Sequence, residues 1–237
     1  MRQEFRISVV LCALAGWGVA SAAEGPNVVR FGVGYVAPTG DLSGPVSISA
    51  DLGDGTTLAF EGTLTLEPQS EMALFFAYER RFSDLLGAEV AVWNAKHDVD
   101  GRLAGTYWLL DSGSGMLIET GPLDFTEKYG DVSVMPFTVG LDFHLTPKAR
   151  VDLYAGPFVA YVFYGDFEVE GESLGVEDDV TWGGVVGLDV PIGKGGWLLT
   201  GAVRYLDTEA EPENRELGGD PIDVTPWVAQ LSAGVRF

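Results

Sequence analysis

The 237-residue chain is 46% hydrophobic and 21% charged, with 14 Lys+Arg against 35 Asp+Glu and a formal net charge of -21. That composition excludes an acidic disordered chain, and the charge excludes a nucleic-acid binder, which needs a basic footprint to displace counterions from phosphates. The single cysteine excludes a disulfide framework and a cysteine-based zinc site, and a positive mean hydropathy requires the acidity to be segregated from the apolar residues.

Residues 1–23 read as a cleaved signal peptide. Arg2 and Arg6 precede an uncharged stretch over 7–19, and Ala20-Ser21-Ala22-Ala23 supplies the small residues that a signal peptidase reads. Thirteen residues at about 1.5 Å each are too short a helix for about 30 Å of hydrocarbon. Cys12 lies inside this segment, so the expected mature chain, 24–237, has no cysteine, which suits an oxidising compartment. The longest uncharged stretch beyond it, 153–165, is equally short, which excludes a transmembrane helix.

What recurs instead is alternation with period two. Val29, Phe31, Val33 and Tyr35 oppose Arg30, Gly32 and Gly34. Phe137, Val139, Leu141 and Phe143 oppose Thr138, Gly140, Asp142 and His144. Trp182, Val186 and Leu188 oppose Gly183, Val185, Gly187 and Asp189, and Trp227, Leu231 and Val235 oppose Gln230, Ser232 and Arg236. Eight such runs cover 28–38, 68–81, 86–96, 132–145, 150–164, 180–191, 196–208 and 224–237. They are longer than strands of soluble sheets and long enough to cross a bilayer at a tilt. The connections alternate: 82–85, 146–149 and 192–195 are short, whereas 39–67, 97–131, 165–179 and 209–223 are long. The pattern predicts an all-β fold, an eight-stranded antiparallel transmembrane β-barrel in the outer membrane, with short periplasmic turns and long extracellular loops. Within the first long loop, 46–52 and 58–66 flank Gly53-Asp54-Gly55 and predict a hairpin above the membrane. Two extra wall strands, giving ten, are the alternative; the polar side formed by Ser47, Ser49, Glu61, Thr63 and Thr65 favours eight.

The charge separates along the same boundaries. Segments 39–71, 94–131, 166–179 and 209–223 hold 26 acidic and four basic residues, and the rest of the mature chain holds eight of each. Arg80, Arg81, Lys148, Arg150 and Lys194 gather at the short turns. The acidic cap reads either as a divalent-cation surface, with Asp166, Glu168, Glu170, Glu172, Glu177, Asp178 and Asp179 its best candidate, or as a solvated, self-repelling face. The second reading is favoured because no EF-hand spacing is present. Neither a metal nor a cofactor is expected. Phe82, Phe143, Trp197 and Phe237 would form the inner aromatic belt, and Tyr35, Trp93, Phe163, Trp182 and Trp227 the outer one. The alternating last strand ending on Phe237 resembles the assembly signal read by the outer-membrane insertion machinery, an expected partner. The lipid bilayer and lipopolysaccharide are the other expected partners.

Several fragments, in order, resemble the OmpW family of small outer-membrane barrels. They are Gly34-Tyr35-Val36-Ala37-Pro38; Tyr78, Glu89 and His97; Met135-Pro136; Phe143-His144-Leu145-Thr146-Pro147; Tyr154-Ala155-Gly156-Pro157 with Tyr161; Asp179-Val180-Thr181-Trp182-Gly183; Trp197-Leu198-Leu199-Thr200 through Val203-Arg204-Tyr205-Leu206-Asp207; and Arg236-Phe237. Thr181 stands in place of the usual Ser, Thr200 and Ala202 replace polar residues, and the first loop is longer and more acidic. The resemblance implies eight strands and the passage of small hydrophobic molecules through an apolar pocket opening sideways into lipid.

An eight-stranded barrel is just wide enough to be filled by side chains or to hold one small ligand. Arg30, Glu89, Asp142, His144, Asp189, Arg204 and Arg236 fall on inward parity and predict a paired polar plug in the periplasmic half; a gated ion path is the alternative. Met72, Leu74, Phe158, Trp182 and Val185 are the candidates to line an upper apolar pocket. For Trp182 the two readings conflict: strict alternation turns it to lipid, and only a bulge at Gly183-Gly184 brings it inward. Pro136, Pro157 and Pro191 mark places where the wall can open. A lipid-modifying enzyme would need a histidine with a Ser or Asp in reach. Of the two available, His144 lies by a periplasmic turn, and His97 has Asp98 beside it on the opposite face. The chain therefore reads as a non-enzyme, with a structural or adhesion barrel acting through its loops as the other reading.

Overall fold

The computed structural model describes residues 25–53, 55–169, 172–193, 195–212 and 222–237. The segment read as a signal peptide, together with Asp54, Glu170, Lys194 and residues 213–221, lies outside the described residues. The elements are β1 (Asn27–Pro38), β2 (Leu42–Asp51), β3 (Thr56–Pro68), β4 (Glu71–Arg81), β5 (Leu86–Asp111), β6 (Leu117–His144), β7 (Asp152–Tyr164), β8 (Phe167–Val169), β9 (Glu172–Leu174), β10 (Val176–Glu177), β11 (Asp179–Ile192), β12 (Trp197–Asp207), β13 (Glu209–Pro212), β14 (Ile222–Asp223) and β15 (Pro226–Arg236).

Among the described residues, eight strands close a ring in the order β1, β4, β5, β6, β7, β11, β12, β15. β1 closes it, pairing with β4 from Asn27↔Arg80 to Val36↔Glu71 and with β15 from Val28↔Arg236 to Pro38↔Pro226. Closure leaves the wall no edge, the condition for placing backbone amides in hydrocarbon. The two ends of the chain's ring meet: the Asn27 amide donates to the Phe237 carbonyl at 3.1 Å, and the Phe237 amide donates to the Asn27 carbonyl at 2.9 Å. Tight turns close the same end, helped at the β11–β12 turn by Gly193 (φ 68°) and Gly196 (φ 72°), which occupy the left-handed region.

Alternation sets the faces as read from the sequence. Phe31, Val33, Val139, Leu141, Val186 and Leu231 point outward, and Arg30, Asp142, His144, Asp189 and Arg204 are buried within. Phe82, Phe143 and Trp197 face outward near the short turns, and Tyr35, Phe163, Trp182 and Trp227 do so near the other end. Trp93 departs from its expected belt position. It is 2% exposed and points into the lumen, because its parity partners are Ala91 and Ala95, small residues that leave room for an indole inside.

The segment read as the 97–131 loop is strand instead. β5 and β6 run for 26 and 28 residues and stay paired from Leu86↔Phe143 to Leu110↔Leu117, with register shifts at Val99/Asp100 and Leu109/Leu110. Above the membrane both faces of a sheet are wet, so alternation, which reports a one-sided environment, fades. The β2–β3 hairpin turns at Gly53 (φ 78°) and Gly55 (φ 86°) as expected. β3 pairs with the upper part of β5, from Thr56↔Asp111 to Pro68↔Val99, so the hairpin lies beside the wall's extension and leaves eight strands in the ring. Two of the three predicted weak points interrupt the ladders. The β5–β6 pairing skips from Val92↔Phe137 to Ala95↔Val134 around Pro136, and the β6–β7 pairing skips from Gly140↔Phe158 to Phe143↔Ala155 around Pro157. Pro191 stays in register opposite Leu198.

Replacing residues 42–68 with a short Gly/Ser linker should leave the ring intact. In detergent, the unboiled deletion protein is expected to run ahead of its boiled form on a gel, and so is the full chain. Loss of that shift would place the hairpin in the wall.

Candidate functional site

The lumen is built in three tiers. The lowest is ionic and lies behind the short turns. Arg30 on β1 is its hub: Nη2 donates to Glu79 Oε2 at 2.6 Å and to Asp189 Oδ2 at 2.8 Å, Nη1 to Glu89 Oε2 at 3.2 Å and Nε to Thr200 Oγ1 at 3.2 Å. Thr200 in turn donates to Asp189 Oδ1 at 2.6 Å. Arg81 donates to Glu79 at 2.9 Å, Asp152 at 2.9 Å and Asp189 at 3.3 Å. His144 places Nε2 2.9 Å from Glu79 Oε1 and Nδ1 2.9 Å from Asp152 Oδ2. Arg204 donates to Glu89 at 2.6 Å and to Gln230 at 3.1 Å. Charges taken out of water persist only with this density of partners.

Of the sequence-predicted plug residues, Arg30, Glu89, His144, Asp189 and Arg204 are brought into this network. Asp142 is buried in the same tier, its Oδ2 without a hydrogen bond. Arg236 is only half-buried at the lower rim, with its Nε unpartnered and no place in the hydrogen-bonded set, because it is the last residue of its strand. Sequence reading missed Glu79, Arg81, Asp152 and Thr200. Arg81 was counted with the basic rim, although it shares the parity of Phe75, Ala77 and Glu79, which was the available signal.

The middle tier is aromatic. The Phe75 and Trp93 rings stack at 6.0 Å with 22° between planes, and the Arg204 guanidinium lies 4.9 Å from the Phe75 centroid and 5.9 Å from that of Phe158. Arg204 therefore joins the ionic tier to π faces that attract a cation. Phe158 requires Gly183 opposite: a Cβ there would meet the Phe158 ring at 2.4 Å and the Tyr205 carbonyl at 2.3 Å.

The upper tier is an apolar cavity of about 130 Å³ with Trp93 in its wall. Ala95, His97 and Val99 continue the inward parity of β5, Val132, Val134 and Pro136 face them from β6, and Pro38, Pro68 and Pro226 stand around the chamber. Of the five residues expected to line a pocket, Phe158 and Val185 point inward but sit in the packed cluster rather than the cavity wall. Met72, Leu74 and Trp182 point outward, 58%, 64% and 60% exposed. In β4 both parities are apolar from Met72 to Phe76, so the pattern could not choose a face; the inward set is Ala73, Phe75 and Ala77. Trp182 obeys strict alternation, since its pairing runs unbroken through Gly183 and Gly184 on both sides and no bulge turns it inward.

His97, weighed in the sequence for catalysis, is the polar side chain of β5 in the cavity wall. Its Nδ1 lies 2.8 Å from the Gln69 carbonyl. Outward-facing ion pairs at the same height, Lys96–Asp131 at 2.6 Å and Lys128–Asp98 at 2.6 Å, place it above the hydrocarbon. Burial lowers the His97 pKa, against the smaller raising effects of the Gln69 carbonyl and Glu71. On the outer surface, Glu177, Asp178, Asp179, Asp207 and Glu209 surround an acidic crevice. Asp178 accepts from the Tyr161 hydroxyl at 2.9 Å and the Tyr164 amide at 3.1 Å. Among the described residues no group of three or more His, Cys, Asp or Glu is arranged to hold a metal ion.

Replacing Arg30 with Ala should remove the partner that Glu79, Glu89 and Asp189 share, leave excess negative charge buried in the lumen and cost about 3–5 kcal/mol, measured as a drop in the urea midpoint of the refolded barrel. Arg102→Ala, which removes an exposed pair with Asp124, is expected to leave that midpoint in place.

The family model of the OmpW family matches residues 23–237. Comparison with characterised protein sequences gives no significant match. Among solved structures, the outer membrane protein OprG from Pseudomonas aeruginosa aligns over 92% of this chain and 98% of its own, at 22% identity and a TM-score of 0.61. Neisserial surface protein A aligns over 90% of this chain and 97% of its own, at 10% identity and a TM-score of 0.51. With a closed ring of eight strands and a family match across it, the chain belongs to the OmpW family of outer-membrane β-barrels of Gram-negative bacteria.

Proposed function

We propose that the barrel assists the passage of small hydrophobic molecules, which enter the upper lumen and leave sideways into lipid. The observation that carries this reading is the stacking of an apolar chamber directly on a charged plug. The cavity wall is almost wholly apolar, whereas the axis below it is filled by ion-paired Arg30, Glu79, Glu89 and Asp189. An apolar molecule gains by leaving water for the chamber, at roughly 25 cal/mol per Å² of surface, and loses if driven onward into buried charge. The interrupted ladder beside Pro136, a cavity-lining residue, supplies the side exit.

The exposed apolar tip of the β5–β6 hairpin, Met116, Leu117 and Ile118, favours a second role in contact with other surfaces. We read the barrel as a non-enzyme: Nδ1 of His97 is taken by a backbone carbonyl, Asp98 pairs with Lys128, and His144 is held between two carboxylates of the plug. Lipopolysaccharide around the acidic cap and the insertion machinery at Phe237 belong to the same reading.

Uptake of a small apolar compound by cells carrying the protein should be faster than by cells without it. Ala95→Phe, which fills the chamber from its wall, should slow uptake severalfold while keeping the heat-dependent gel shift. Equal uptake with and without the protein would overturn the proposal.

A further inference from the structure

Glycines blur the period of β5 and β6 above the membrane, but the β2–β3 hairpin paired beside them keeps it. Val46, Ile48 and Ala50 on β2 stand opposite Gly62, Phe60 and Leu58 on β3, while Ser47 and Ser49 share the other face with Glu61, Thr63 and Thr65. Across the next ladder Leu64 meets Leu103 and Phe60 meets Tyr107, and Phe125 on β6 stands opposite Leu103. Alternation of this kind reports a one-sided environment. Yet the strip is open: Ile48 is 44% and Phe125 52% exposed. An open apolar patch framed by polar residues marks a contact surface. This one leads into the chamber. The β3–β5 pairing runs without a register shift down to Pro68↔Val99, so the side that carries Phe60 and Leu64 also carries Leu66 and Pro68, and both of these line the cavity, as does Val99. The strip is also low in profile. A Cβ at Gly62 or Gly105 would meet the Phe60 ring at 2.5 or 2.8 Å, so the ring lies flat across both glycines and is 3% exposed.

We propose that this strip is the landing surface of the barrel: it takes neutral, extended alkyl chains from water and feeds them end-first into the chamber. This rests on the reading that the chamber takes apolar solutes, and adds where they land and which shape is favoured. The shape follows from size. The chamber, about 130 Å³, is close to the engineered cavity of about 150 Å³ that holds benzene, a six-carbon guest. A longer chain leaves carbons outside, and Leu58 to Leu66 offers them roughly 26 Å of apolar surface at about 3.3 Å per residue. A compact guest gains nothing from that surface. Neutrality follows from Glu119 and Glu127, which stand opposite Leu109 and Gly101 on the strip's own face and repel a carboxylate. The same acidity argues for a solute rather than a second copy of the chain, which would set one acidic cap against another.

The test compares 1-hexanol, which the chamber can hold, with 1-decanol, which it cannot. Binding to the full barrel in lipid nanodiscs is measured by calorimetry, with empty nanodiscs subtracted to remove partitioning into lipid. Decanol is expected to bind roughly fifteenfold more tightly, about twofold for each added methylene covered on one side, half the effect of full burial. The double variant Leu64→Ser, Leu103→Ser should cut that ratio at least threefold and leave hexanol binding and the heat-dependent gel shift unchanged. The wild-type protein gives a readout independent of any variant's folding: the δ1 methyl resonance of ¹³C-labelled Ile48 should move with decanol and stay in place with hexanol. Equal affinity for the two alcohols, or a decanol preference that survives in the double variant, would overturn the landing strip while leaving the chamber in place. So would an Ile48 resonance that moves with protein concentration and not with decanol, which would put a second copy on the strip. Binding of neither alcohol would overturn the apolar-solute reading as well.

Discussion

The rest of the molecule depends on how one guanidinium is satisfied. Arg30 is fully buried in the lumen, and its partners come from four other strands: Glu79 on β4, Glu89 on β5, Asp189 on β11 and Thr200 on β12. Backbone ladders tie each strand only to its neighbours. The Arg30 cluster ties across the ring, and it holds only if the parity of every contributing strand is right, because a slip of one residue would turn a carboxylate into lipid. Arg81, His144 and Asp152 extend it to β6 and β7. Such a network specifies register more than it adds stability, since each ion pair repays a desolvation cost.

From that floor the character of the lumen changes within a few residues. Arg204 is the hinge between the regimes, with Glu89 and Gln230 holding one end of its guanidinium and Phe75 and Phe158 flanking its face. Above it there is an aromatic layer and then the apolar chamber. The net charge of -21 therefore describes the cap, while the interior has a charged bottom and an apolar top.

Much of this was legible in the sequence, because a wall with lipid on one side and a packed lumen on the other forces strict alternation. Strand number, the short-turn end and five of the seven named plug residues of the network follow from it. It failed wherever the two faces stop differing. Beyond the membrane β5 and β6 are wet on both sides and lose their period, so their hairpin read as a loop. In β4 both parities are apolar, and Met72 and Leu74 were assigned inward when Ala73 and Phe75 are. Trp93 was read by residue type, as a belt tryptophan, although its parity with Ala91 and Ala95 pointed inward. His97 reads in the sequence as a catalytic candidate, and its place in the cavity wall, with Gln69 opposite its Nδ1, follows only from the three-dimensional arrangement.

The central claim, an apolar chamber resting on a sealed ionic floor, is tested most directly by diffraction from crystals soaked with 4-bromophenol. The account predicts an anomalous bromine peak in the upper lumen between Trp93 and His97. Peaks below Arg204, among Arg30 and its carboxylates, or only on the outer wall, would contradict it.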